Sequence, residues 1–209
     1  MADYETDDEK VEAIKKWWKD NGLSVAAGVA IGLAAVYGWR AWVDHREGVG
    51  QQASAAFEQL MVASEGPDSG RALAEAESIR QAFGGSAYAS LADLTEAKVK
   101  LKAGDAAGAM TALQRVMDQA PEPGLARVAA LRLARIALDQ GDLDRASAIA
   151  GKYADAGAFS GDFAAVQGDI AAAQGRVADA RAAYERAIAA GASMSQLLRL
   201  KLDNLPAAG

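Results

Sequence analysis

From Asn21 to Trp39 the chain runs 19 residues without a charge, and no other feature restricts so sharply what it can fold into. The apolar stretch from Leu23 to Val43 spans about 31 Å as a helix, at roughly 1.5 Å per residue, which matches the hydrocarbon core of a bilayer. Leu23, Val25, Val29, Ile31, Leu33, Val36 and Val43 each favour insertion by about 0.3–0.6 kcal/mol, and Arg40 is near enough to one end to snorkel. All four tryptophans stand at the edges, Trp17 and Trp18 before the span and Trp39 and Trp42 after it, with Tyr37 close by. Amphipathic rings settle at headgroup depth, whereas a core helix has no reason to sort them this way. The segment is long for a signal-peptide core, and its end, Tyr37-Gly-Trp-Arg-Ala-Trp42, is bulky where a peptidase needs small residues. It reads as a retained anchor.

Lys10, Lys15, Lys16 and Lys19 precede the span, while only Arg40 and Arg46 follow closely. Basic residues stay on the cytoplasmic side, so residues 1–22 are expected in the cytoplasm, 23–43 in the membrane and 44–209 beyond it, in the periplasm of a bacterium with two membranes. Asp7 or Asp8 is placed to cap a short helix with Val11, Ile14 and Trp17 or Trp18 on one stripe, suited to lie on the membrane surface. Within the span Ser24, Gly28 and Gly32 recur every four residues, and Gly28-Val-Ala-Ile-Gly32 would let a second helix approach closely. That spacing also arises by chance in a helix rich in Ala and Gly, so the contact stays a hypothesis.

The chain is 51% hydrophobic, but 52 alanines supply about half of that. Alanine is the best helix former, and with four prolines and few β-branched runs the composition specifies an all-α chain. Zero cysteines exclude thiolate chemistry and disulfides, and one histidine excludes a His-rich metal site. His45, between Asp44 and Arg46, reads as a solvated residue at the membrane edge, lacking the partners of a base. No phosphate loop, nucleophile elbow, zinc-protease helix or calcium loop occurs. No catalytic, cofactor or metal site is therefore expected. A net charge of −6 with no basic stripe argues against nucleic acid as partner.

Gly104-Asp105, Gly141-Asp142 and Gly175-Arg176 mark an internal repeat, with glycines 37 and 34 residues apart. Seven residues before each glycine stands Ala97, Ala134 or Gly168, and five after it Ala109, Ala146 or Ala180. Two helices of a hairpin cross closely only where both carry small side chains, and units of this length stack because none buries its apolar side alone. These residues resemble the tetratricopeptide pattern. The fullest copy is Gly168-Asp-Ile-Ala-Ala-Ala-Gln-Gly175-Arg-Val-Ala-Asp-Ala180-Arg-Ala-Ala-Tyr184-Glu-Arg-Ala187; the copy ending at Pro121 adds the terminal proline, and the middle one has Ala150 where a large residue is usual. Helices at about 51–63 and 71–83, around Gly66-Pro67, would form a degenerate first repeat. The expected fold is thus one transmembrane helix followed by a tetratricopeptide-like α-solenoid of three to four helix pairs. The closing helix from Ser195 to Leu205 either caps the last repeat or offers Leu197, Leu198, Leu200, Leu202 and Leu205 as a docking patch.

Such solenoids bind peptides on a curved surface lined by the first helix of each pair. The inward positions project to Leu91, Leu94, Lys98, Leu101 and Lys102, then Val128, Leu131, Arg135 and Leu138, then Asp162 and Asp169. The first two sets give an apolar floor with basic rims, although a solenoid core claims leucines at the same spacing.

The order of parts is similar to the YfgM family, the ancillary subunits of the bacterial SecYEG translocon. A charged N-terminus ends at Trp17-Trp18, one anchor follows, and repeats fill the rest. The most specific stretches are Gly84-Gly-Ser-Ala-Tyr88-Ala-Ser-Leu-Ala92, Leu131-Arg-Leu-Ala-Arg135 before Gln140-Gly-Asp, and the closing Leu197-Leu-Arg-Leu-Lys-Leu-Asp-Asn-Leu205. The resemblance implies a non-catalytic module at the inner membrane that works with SecYEG and the periplasmic chaperone PpiD on unfolded secretory or outer-membrane polypeptides. The alternative reading is an envelope scaffold that binds one folded partner or restrains a cytoplasmic stress-response regulator.

Overall fold

The computed structural model describes residues 7–155 and 157–206, without the side chains of residues 7–9, 44 and 45. The expected cap at Asp7 or Asp8 and the environment of His45 therefore lie outside the described residues. Every regular element described is helical: α1 (Asp7–Glu65), α2 (Ser69–Ala82), α3 (Ala87–Lys102), α4 (Ala106–Gln119), α5 (Pro123–Asp139), α6 (Leu143–Lys152), α7 (Ser160–Ala173), α8 (Val177–Ala189) and α9 (Ser195–Asp203), with a 3₁₀ turn at Gly157–Phe159. The chain divides into two units, Met1–Gln52 and Ala53–Gly209.

In the first unit, α1 contains the one described helix long and apolar enough to cross a membrane. Its apolar residues face outward, Leu23 and Ile31 being 87% and 70% exposed, as a surface meant for lipid must be. Trp17 and Trp18 lie 6.4 Å apart by ring centroids, Trp39 and Trp42 5.2 Å apart, and the Arg46 guanidinium sits 4.9 Å above the Trp42 ring. The sequence suggested three separate helical pieces before Gly66. One continuous helix forms instead, because the first proline is Pro67 and the alanine-rich stretches carry it through Gly48 and Gly50.

In the second unit the helices pack as consecutive antiparallel pairs, and the turns within α3/α4, α5/α6 and α7/α8 share one construction. At the first, the Asp105 N–H donates to the Lys100 carbonyl over 2.8 Å and the Gly104 N–H to the Leu101 carbonyl over 3.0 Å. This closure needs a left-handed residue, and Gly104 has φ of 83°. The Asp105 carboxylate then accepts from the Gly108 N–H at 2.8 Å and starts α4. Asp142 does the same for α6 through the Arg145 N–H. In the third turn Arg176 replaces the aspartate and makes no side-chain cap; it bonds Asp179 and Gln174 instead.

The small residues flanking each glycine are all buried: Ala97, Ala109, Ala134, Ala146, Gly168 and Ala180. A Cβ at Gly168 would overlap the Tyr184 ring, so the glycine makes room for the aromatic that its own repeat supplies. The middle repeat, with Ala150 at that place, is filled from outside. Phe163 of α7 is fully buried against Ala146 and Ala150, and Tyr153 stacks on it with ring centroids 5.3 Å apart. Each such large side chain contributes about 1.5–3 kcal/mol through burial.

The degenerate first pair is real and joins the stack. Leu60 and Ala63 of α1 pack with Ala72, Ala76 and Ile79 of α2 and with Ala92 and Val99 of α3. The same junction holds a buried ionic cluster. Asp93 Oδ1 and Glu96 Oε2, on one face of α3, accept from Arg80 of α2 at 2.7 and 2.8 Å and from Arg115 of α4 at 2.9 and 2.7 Å. Lys100 adds a 2.8 Å bond to Glu96 Oε1, and Glu77 pairs with Arg80. Burial acts to raise the Glu96 carboxyl, yet its bonds to Lys100 and Arg80 win and hold it below its ordinary value. Burial likewise opposes the charge on Arg80, and the two carboxylates overcome it.

α9 closes the other end. Leu198 is buried with Ala165, Ala171 and Tyr184, and Leu202 and Leu205 pack on that cluster. Leu197 and Leu200 stay exposed at 39% and 56%, so capping takes three of the five leucines and leaves two outside.

Candidate binding groove

The first helices of the second and third pairs, α3 and α5, lie side by side with an open groove of about 600 Å³ between them. Leu94, Ala97 and Leu101 come from α3 at spacings of three and four, Leu113 from α4 and Ile136 from α5. Of these, Leu94, Ala97, Leu113 and Ile136 are fixed in the core, while Leu101 is 45% exposed. Lys98 and Lys102 stand on the α3 wall, Arg132 and Arg135 on the α5 wall. The volume falls within the range of pockets that receive small ligands or the side chains of a peptide. Apolar contact and N–H donors are what this lining offers; it contains no carboxylate, imidazole, hydroxyl or thiol.

The cations differ in their surroundings. Lys98 donates to Glu65 Oε1 at 2.6 Å, both side chains being largely exposed. That hydrogen bond, then the Lys98 charge, and last the charge of Lys102 hold the Glu65 carboxyl below its ordinary value. Arg135 reaches Asp162 Oδ1 only at 3.9 Å. Lys102 and Arg132 make no salt bridge among the described residues.

A second cavity, of about 350 Å³, continues past Arg135 between α5, α7 and α9. Leu138, Asp162 and Asp169 line it, with Met194, Leu197 and Lys201 from the C-terminal segment. Two of its three carboxylates, Asp162 and Asp169, are held by strong bonds. Asp162 Oδ1 accepts from the Ser193 hydroxyl at 2.6 Å and backbone N–H at 3.2 Å. Asp169 Oδ1 accepts from the Tyr184 hydroxyl at 2.7 Å and Lys201 Nζ at 2.6 Å. Burial and then this bond push the Tyr184 hydroxyl upward, so it remains a donor.

Of the nine positions projected as groove on α3 and α5, the structure brings Leu94, Lys98, Leu101, Lys102 and Arg135 together. Leu138 lines the second cavity. Leu91 and Val128 pack on the core between α3, α4 and α5, and Leu131 belongs to the core between α5, α6 and α7. Four of the five α3 positions and one of the four α5 positions thus line one cavity; both helices pack on two sides, and on α5 Leu131 enters one core and Leu133 the other. Arg132 and Ile136 were missed. The signal for Arg132 lay in the sequence, since Arg132, Arg135 and Asp139, spaced by three and four, mark the solvent stripe of an otherwise apolar helix. Leu113, from α4, and Ala97 had no such signal. In the first unit Ser24, Gly28 and Gly32 are exposed, with open space where a Cβ at either glycine would stand.

Residues 15–207 match the tetratricopeptide repeat-like domain. The chain is 30% identical to the ancillary SecYEG translocon subunit of Haemophilus influenzae, over 98% of this chain and 100% of that protein. It is 29% identical to the protein of the same name from Escherichia coli, over 98% and 99%. With that from Aggregatibacter actinomycetemcomitans it shares 32% identity, over 70% of this chain and 71% of the relative. With the apolar N-terminal helix, the glycine-turned helix pairs and the closing helix all falling inside the first two, nearly full-length matches, the chain belongs to the YfgM family of ancillary SecYEG translocon subunits.

Proposed function

We propose that this protein is a non-catalytic binding module, held at the inner membrane by α1 with its N-terminus in the cytoplasm and its repeats in the periplasm. There it meets secreted and outer-membrane polypeptides as they leave the SecYEG channel, in company with the chaperone PpiD. Family membership supports a translocon-associated role in protein interaction. The observation that carries the rest is the groove between α3 and α5, open, apolar-floored and on the face that solenoids use for peptides. Burying one client leucine there contributes about 1.5–3 kcal/mol, enough for weak and reversible capture. Tethering beside the exit compensates for weak affinity, since a short linkage raises the local concentration to roughly the mM range. No nucleotide is needed for such a cycle.

The test is photo-cross-linking in cells from Lys98 and Arg135, with Arg145 outside the groove as control. Many secretory chains together with channel subunits, captured from the groove positions only, are the expected products. A single folded envelope protein would replace this reading by the scaffold, and cytoplasmic proteins alone would reverse the orientation. Leu101→Glu should abolish capture with helicity intact, whereas Leu131→Glu should unfold the repeats.

A further inference from the structure

The groove carries a chemical preference, and this inference rests on the reading of the groove as a peptide site. We propose that it selects apolar segments flanked by carboxylates, Asp or Glu on either side of the residues that reach the floor.

Four of the nine lining residues are cations and none is acidic, in a chain whose net charge is −6. They stand two on each wall, Lys98 and Lys102 facing Arg132 and Arg135 across the apolar floor. Arg132 and Lys102 are exposed and make no salt bridge among the described residues. Lys98 can leave Glu65 at small cost because both partners are solvated, and Arg135 is only loosely held at 3.9 Å. A client that fills the floor displaces water from between the walls, which strengthens any ion pair then formed, and a guanidinium receives a carboxylate through two parallel bonds. A segment flanked by lysines would gain the same floor but bring like charges to both walls. Asp139, Asp162 and Asp169 lie one cavity further along, past Arg135 and beside Lys201, so the excess of cations ends there. The preference for acid is therefore confined to the α3 and α5 end.

The experiment uses the full chain in a neutral detergent and a short fluorescein-labelled peptide with Glu on both sides of a Leu-Phe centre. Peptides with Gln or Lys in place of Glu serve as comparisons. At low salt the Glu peptide should bind about tenfold more tightly than the Gln peptide, which is about 1.4 kcal/mol, and the Lys peptide more weakly still. Raising the salt should shrink the difference. Lys102→Glu with Arg132→Glu should reverse the order of the Glu and Lys peptides while the far-UV circular dichroism spectrum at the assay temperature is unchanged, since both side chains are exposed and make no salt bridge among the described residues. Equal affinity for the three peptides, or a preference that survives the double substitution, would overturn the inference and leave the groove reading intact. Failure of every peptide to bind would overturn both. Displacement of the Glu peptide by phosphatidylglycerol vesicles that bind through the same residues would assign the cations to a lipid surface and overturn it as well.

Discussion

Replacing Arg115 by methionine tests how the groove's first wall is held in place. Arg115 Nη2 donates to Asp93 Oδ1 at 2.9 Å and to Glu96 Oε2 at 2.7 Å, and its Nε reaches Asp93 Oδ1 at 3.3 Å. Both carboxylates belong to buried residues, 4% and 6% exposed, so the loss is mostly the cost of leaving charge under-paired. Removing one partner of a buried pair costs about 3–5 kcal/mol. Arg80 and Lys100 remain to share the two carboxylates, and methionine keeps the aliphatic packing, which brings the expected loss to about 2–3 kcal/mol. In a unit of this size each kcal/mol lowers the melting temperature by roughly 2–4 °C, so the shift should be about 5–10 °C. Far-UV circular dichroism of the full chain in neutral detergent gives the melt, and amide exchange locates the loss. Because repeats couple mainly to their neighbours, protection should fall in α2, α3 and α4 and persist in α7 and α8. A melt shifted by less than a degree, or protection lost evenly along the chain, would refute the reasoning that this cluster clamps α3 between its neighbours.

Three further outcomes are expected. Gly161→Ala puts a Cβ 2.7 Å from the Ala192 backbone nitrogen and 3.0 Å from the Ala187 carbonyl oxygen; backbone must move, so the variant should lose about 1–3 kcal/mol in urea melts, and neutral behaviour would show that the loop before α9 yields freely. The Glu96 carboxyl sits below its ordinary value in the fold, so its contribution is fully present above the unfolded value of about 4.3 and fades as pH falls through the folded one. Glu96→Gln should accordingly lose less stability than the native chain between neutral pH and pH of about 3, and parallel losses would remove Glu96 from the acid response. The chain has no native cysteine, so Ala55→Cys should react with an impermeant maleimide in spheroplasts while Lys10→Cys should not; the opposite pattern would invert the proposed topology.

Some of the architecture was legible because it depends on local chemistry. An uncharged run with tryptophans at both ends has the length and composition of a membrane span, and such a span meets its backbone hydrogen bonds within a helix. The glycine turns were equally plain, since a left-handed closure followed by a capping Asp is written in adjacent residues such as Gly104-Asp105 and Gly141-Asp142. Small residues at fixed distances from those glycines announced the helix crossings in advance.

Other features arose only when distant helices met. Phe163 fills the space that Ala150 leaves, a substitution across helices that no single repeat can reveal. The cluster of Arg80, Asp93, Glu96 and Arg115 joins three helices, with partners as far as 22 residues apart, and each residue alone reads as an ordinary surface charge. Periodicity brought Leu94, Lys98, Leu101 and Lys102 of α3 to one cavity and left Leu91 on the core, although α3 is buried on two faces, Ala92 and Val99 in one cluster and Leu94 and Ala97 in another. On α5 only Arg135 of the four projected positions lines that cavity, because the stripe facing it is chosen by which neighbours cover the rest of the helix. A sequence fixes how often a residue returns to a face of its own helix; which face stays open is decided by the helices packed around it.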